Sequence, residues 1–137
     1  MNIIFLLAVK GENVFSPRQL INFDSGWKFN LGEVDSIGVL NKKYNDSTWR
    51  LLNLPHDWAI EGDFDIHNPS GTGGGALPGG LGWYRKTFYP DLSQKGKYFF
   101  LRFDGVYMNS EVFLNGHSLG IRPNGYVSFE YDLTPYL

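Results

Sequence analysis

One short stretch, LPHDWAIEGDFDIHN, gathers His56, Asp57, Glu61, Asp63, Asp65, His67 and Asn68, side chains able to bind a metal, move a proton or hydrogen-bond a ligand. Glu61, Asp63, Asp65 and His67 occupy every second position, so in an extended segment all four would project to one side and could meet a hard cation. The glycine and terminal glutamate of a calcium-binding loop are missing, and acids in loops are usually solvated. No metal is therefore assigned. His56 and Asp57 are adjacent, but no serine stands beside them as a nucleophile. Glycosidase chemistry needs two carboxylates about 5 to 10 Å apart on rigid supports. Asp104 and Glu111 flank FDGVYMNSEVF but read as turn-capping, solvated acids, so no catalytic residue is expected within this chain. Trp58 after Pro55 anchors a turn by burying its ring while the indole N–H finds an acceptor. The stretch reads as a structural corner, with a contribution to a ligand pocket as its alternative.

A second candidate is the glycine-dominated loop GTGGGALPGG, residues 71–80. Gly71-x-Gly73-x-x-Ala76 matches a dinucleotide fingerprint formally, yet that motif needs a following helix N-terminus to hold the pyrophosphate. Pro78-Gly79-Gly80 forbids the helix, and the Lys-Ser/Thr of a phosphate loop is absent. No cofactor is expected. A mobile loop over a ligand site or against another domain is the better reading.

The elements that must position these residues are strands. Aromatics at 17%, with 17 glycines and 7 prolines, favour strands and tight turns over helices. LINFDSGWKF, from Leu20 to Phe29, has strand-like residues on both sides of the Asp24-Ser25-Gly26 turn. The polar run that follows reads as a surface connection ending where Trp49 plugs into a core. GWYRKTFY (Gly82 to Tyr89) and GKYFFLRFDG (Gly96 to Gly105) read as sandwich strands. In the latter, Phe99, Leu101 and Phe103 share one face and Tyr98, Phe100 and Arg102 the other, which predicts a central strand covered on both sides. Asn115-Gly116 predicts a type I′ hairpin turn. In GYVSFEYDL, Val127, Phe129, Tyr131 and Leu133 are expected to face the core.

At 137 residues the chain is one domain or part of one. A net charge of −2 with scattered Lys and Arg excludes a nucleic-acid footprint. Without cysteine, disulfides and thiolate metal sites are excluded. Ile3 to Val9 is an apolar run of secretory-leader type and too short to span a bilayer as a helix. Residues 1–15 are thus expected to be a signal peptide or disordered leader, and the protein periplasmic or secreted. A first buried strand or misplaced start codon would make it cytoplasmic.

SGWKF, LPHDW, GWYRKTF, FDGVYMNSEVFLNGHSLG and GYVSFEYDLTPYL, in this order, resemble the N-terminal sugar-binding domain of glycoside hydrolase family 2, nearest to bacterial β-galactosidases, from about Ile21 to Leu137. The resemblance implies a galactose-binding-domain-like, jelly-roll-type β-sandwich over residues 16–137. It implies that an immunoglobulin-like sandwich and a barrel follow in the intact enzymes, the barrel carrying both catalytic glutamates of a retaining mechanism. It also implies that the loop after PHDW helps wall the sugar pocket, with Asn68, Asp57 and His56 as candidate substrate-binding residues. Relatives continue the sandwich beyond DLTPYL, so late strands are expected to be lacking and an unpaired sheet edge to favour self-association. The partner implied is a β-galactoside, met by the full-length enzyme; β-glucuronidase or β-mannosidase chemistry is the alternative within the family. A free-standing carbohydrate-binding module stacking sugars on Trp83, Tyr84 or Tyr107 is the rival from another class, and a purely architectural interaction domain is a third reading.

Overall fold

The computed structural model describes residues 18–137. The candidate leader, Ile3 to Val9, and the domain boundary at residue 16 lie outside the described residues. Seven strands appear: β1 (Trp27–Leu31), β2 (Arg50–Leu52), β3 (Gly82–Arg85), β4 (Phe100–Phe103), β5 (Ser110–Leu114), β6 (His117–Arg122) and β7 (Phe129–Asp132). Short 3-10 turns join them, and the described residues contain no α-helix. The all-β expectation is met.

β1 lies between β2 and β3 in an antiparallel sheet, while β4 pairs with β7 and β5 with β6. Phe29 stands opposite Arg50 on one side and Tyr84 on the other. Directly opposed residues share a sheet face, so Phe29, Arg50 and Tyr84 project together. The opposite face carries Lys28 beside Arg85. There Asp46 accepts from Lys28 Nζ at 2.5 Å and from Arg85 Nε at 2.9 Å, while Arg85 also donates to the carbonyls of Val39 and Asn41. The polar connection is thereby strapped to the sheet, and both Val39 and Trp49 within it are buried. Trp49 fills the core as expected. Val39, on the 3-10 turn Gly38–Leu40, makes the connection more than a surface strap.

Asn115 and Gly116 both adopt positive φ, 53° and 87°, as a type I′ turn requires. Beyond the turn the ladder slips by one residue near Val112 and Phe113. Gly120, at φ 123°, takes up that irregularity, and its carbonyl accepts the Tyr131 hydroxyl at 3.0 Å. The bulge thus ties the hairpin to β7. Phe29, Val39, Trp49, Tyr131 and Leu133 form the buried apolar set.

Four expectations are corrected. Leu20 and Ile21 form no strand and are exposed, with only the Trp27 side of the Asp24-Ser25-Gly26 turn entering a sheet. β3 stops at Arg85, short of the expected Tyr89, and the next residue, Lys86, donates its ammonium to the carbonyls of Phe23 and Ser25. β4 is not central: it pairs with β7 alone among the described residues, and Phe100 is 55% exposed. Val127 precedes the paired part of β7 and is also exposed, whereas Tyr131 and Leu133 face inward as expected.

Candidate functional site

After β2 the chain is fixed to the turn before β1. Leu54 N–H donates to the Asp24 carbonyl at 2.8 Å, and Gly26 N–H donates to Asn53 Oδ1 at 2.9 Å. The Leu54–Pro55 peptide is cis. Asp57 Oδ1 then accepts the Ala59 N–H at 3.0 Å, which starts the 3-10 turn Ala59–Glu61. Trp58 lies across the glycines before and within β3. A Cβ on Gly82 would sit 2.9 Å from Trp58 Nε1, so only glycine lets the indole close onto the strand. This packing makes LPHDW a structural corner. No acceptor for the Trp58 indole N–H is found among the described residues, unlike the expectation.

His56 is the hub of the corner. Its ring packs on Phe29 at 4.9 Å, and its side chain is only 11% exposed. Nδ1 lies 2.7 Å from the Tyr84 hydroxyl; Nε2 lies 2.8 Å from an Arg50 nitrogen and 3.1 Å from Glu61 Oε1. Arg50 in turn donates to Glu61 Oε2 at 2.8 Å and lies over the Phe29 ring at 5.2 Å. The imidazole can take the Tyr84 proton bond on Nδ1 and donate from Nε2 to Glu61, or carry its proton on Nδ1 and accept from Arg50. Burial, followed by the negative charges of Asp57 and Glu61, pushes Tyr84 up to about 12, so it stays a phenol. The Arg50 guanidinium, then His56, holds Glu61 below the usual carboxylate range.

Beside this network runs a groove of about 430 Å³, walled by Phe29, Arg50, Trp58, Glu61 and Pro78. Aromatic walls next to a fixed guanidinium–carboxylate pair suit a ligand with an apolar face and hydroxyl edges, as a pyranose has.

The other candidates lie along the following loop. Asn68 Nδ2 donates to the carbonyls of Asp63 at 2.9 Å and Ala76 at 2.8 Å, and the Ala76 carbonyl also accepts the Asp65 N–H. Ser70 Oγ donates to the Leu77 carbonyl, and Ala76 N–H to that of Gly71 at 2.7 Å. The glycine loop is therefore stitched to the segment before it through Asn68. No dinucleotide-type helix follows Gly71; a 3-10 turn, Thr72–Gly74, takes its place. The acids at alternate positions do not converge. Glu61 turns to Arg50, while Asp65 turns to the backbone N–H and ring of His67, which depress its pKa in that order. Among the described residues no group of three or more His, Asp or Glu could hold a metal ion.

His56, Asp57 and Asn68 are thus placed on one corner and its trailing loop but in three different settings. Arg50 and Tyr84 were not singled out together by sequence. Only the register of β2, β1 and β3 across Phe29 brings them to His56.

No family model matches the chain. A β-galactosidase of Bacteroides ovatus is 60% identical over 95% of the chain. Among solved structures, a β-glycosidase from Bacteroides vulgatus matches 85% of the chain at 55% identity with a TM-score of 0.81. A glycosyl hydrolase family 2 member from Bacteroides cellulosilyticus matches 84% at 39% identity and a TM-score of 0.77. More distantly, a β-glucuronidase of Formosa agariphila is 34% identical over 89% of the chain. The chain spans about 15% of the length of the first three and 12% of the fourth. In sequence and in backbone alike, the chain is a homologue of the N-terminal part of glycoside hydrolase family 2 enzymes.

Proposed function

We propose that residues 16–137 supply the non-catalytic, sugar-binding β-sandwich of a retaining β-galactosidase-like hydrolase and wall a substrate pocket that the rest of the longer protein completes. The 60% identity to a β-galactosidase over 95% of the chain carries this reading. The geometry supports a walling role. Glu61 is committed to Arg50, Asp65 to His67, and one oxygen of Asp57 to a backbone N–H. Asn68 holds its loop through Nδ2, leaving the carboxamide oxygen for a sugar hydroxyl, and Asp57 offers its second oxygen. His56, enclosed by its partners, serves by orienting Arg50 and Glu61.

The glycone assigned is galactose, with glucuronate the alternative favoured by the β-glucuronidase relative. The leader-like run Ile3 to Val9 supports export to the periplasm or beyond. An exposed sheet edge supports self-association of the isolated chain. Incubating the purified chain with a chromogenic β-galactoside, and separately with a β-glucuronide, tests the division of labour. No turnover of either is expected. Measurable hydrolysis by the chain alone would overturn the placement of the catalytic groups elsewhere.

A further inference from the structure

Far along the sequence from the corner, two loops present a pair of tyrosines. Tyr107 follows β4 and Tyr126 precedes β7; their ring centroids are 5.7 Å apart at 68°. They are 70% and 84% exposed, and among the described residues this is the one close ring pair in which both partners are exposed. Phe103 and Phe129, by contrast, are covered in larger part where they stack between β4 and β7.

The exposed pair is held from behind. Asn109, itself at φ 55°, donates its N–H to the Pro123 carbonyl at 3.3 Å and so joins the two loops. Tyr107 packs directly onto Gly125, where a Cβ would lie 2.6 Å from Tyr107 Cδ2 and 2.9 Å from its Cα. A Cβ on Gly105 would in turn meet the Gly125 carbonyl at 3.1 Å. The Tyr126 N–H is turned onto Asn124 Oδ1 at 2.8 Å. Both backbones are thus fixed at close range while both rings face solvent. A rigid tyrosine offers a broad apolar face and a hydroxyl at small loss of side-chain freedom.

We propose that Tyr107 and Tyr126 form a stacking platform for a pyranose ring of a carbohydrate chain, one ring meeting the sugar's C–H face and the other its edge. The ligand class rests on the carbohydrate reading given under Proposed function. The platform is built from this chain alone. The rings' orthogonal setting makes a corner that a flat protein surface would leave partly empty and a puckered, hydroxyl-edged ring fills. Exposed Met108 and Val127 are the immediate sequence neighbours of the two tyrosines.

The test is titration of the full chain with β-1,4-galactotriose, followed by NMR at the Met108 methyl group and the Trp58 indole N–H. Saturable shifts at Met108 are expected. Y107A and Y126A should each weaken binding about tenfold, Y107F should retain it because the ring remains, and Y89A should bind as wild type, Tyr89 being exposed without a ring partner. Circular dichroism identifies any variant that fails to fold, and Y107F against wild type then carries the comparison together with Y126A. Absence of saturable shifts, unchanged affinity in Y107A and Y126A, or a sugar-independent doubling of mass that both variants abolish would overturn the platform. None of these outcomes touches the walling role, which the hydrolysis assay judges separately.

Discussion

Asp46 sits between two cations that arrive from different strands, Lys28 from β1 and Arg85 from β3. Burial alone would raise its carboxyl, but the Lys28 ammonium and the Arg85 guanidinium outweigh that and hold it below the usual carboxylate range. A depressed folded value means stability that is present above the ordinary value of 3.8 and is lost as pH falls through the lower folded one. Asp46→Asn is therefore expected to lower stability by about 2 kcal/mol at pH 7. In urea unfolding, the gap between wild type and variant should close as pH drops below the ordinary carboxylate value; a gap constant with pH would contradict the charge argument. Nothing in the sequence marks this residue, which lies in the polar stretch YNDSTW and meets its partners 18 and 39 positions away. The Arg50, His56 and Tyr84 network was hidden for the same reason. Trp58 was legible as an anchor because a large ring just after the Pro55 turn has apolar surface to cover, and Gly82, which has no side chain, is where it packs, half-buried.

At the scale of elements, local chemistry read well and neighbours read poorly. Asn115-Gly116 specifies its hairpin because few residue pairs tolerate positive φ at both positions. Gly116→Ala places a side chain at φ 87° and is expected to cost about 1 to 2 kcal/mol. Asn115→Gly, which keeps the turn accessible, should cost less. Urea midpoints compare the two, and an equal loss in both would mean that the turn does not set the register. YFFLRF shows the opposite case. Its apolar residues on both faces describe what each face would bury, while strand partners are set by where the chain returns, and among the described residues β4 pairs only with β7. Leu20 and Ile21 likewise have strand-forming types but no strand beside them among the described residues. The glycine loop is joined to the segment before it by Asn68, Ser70 and the Ala76 carbonyl, through bonds no composition rule contains.

For the whole molecule, the decisive feature is how little apolar surface is enclosed. Among the described residues five apolar side chains are buried, while Leu51, Phe100, Ile121 and others lie more than half exposed. Alternating patterns and turn signals sufficed to read an all-β architecture, since each sheet is built from local pairs. They did not reveal the thin core, because periodicity marks the side a residue faces and not whether a second layer covers it. Among the described residues β2 is an edge strand with no partner on its outer side, and it carries Leu51, 70% exposed, at its centre. An unpaired edge offers backbone N–H and C=O groups to another strand, and an apolar side chain beside it favours the encounter. Lysine at such a position opposes pairing by placing like charges opposite each other in a symmetric contact. In sedimentation velocity, the wild-type chain is expected to show species above its 15.6 kDa mass that grow with concentration. Leu51→Lys should shift the distribution towards the monomer, with a slightly lower urea midpoint because Leu51 stands opposite Lys28 in the β1–β2 ladder and the new ammonium meets a like charge there. A wild-type chain that stays monomeric at high concentration would mean that these exposed residues are covered within the chain itself in solution, and the edge argument would fail with it.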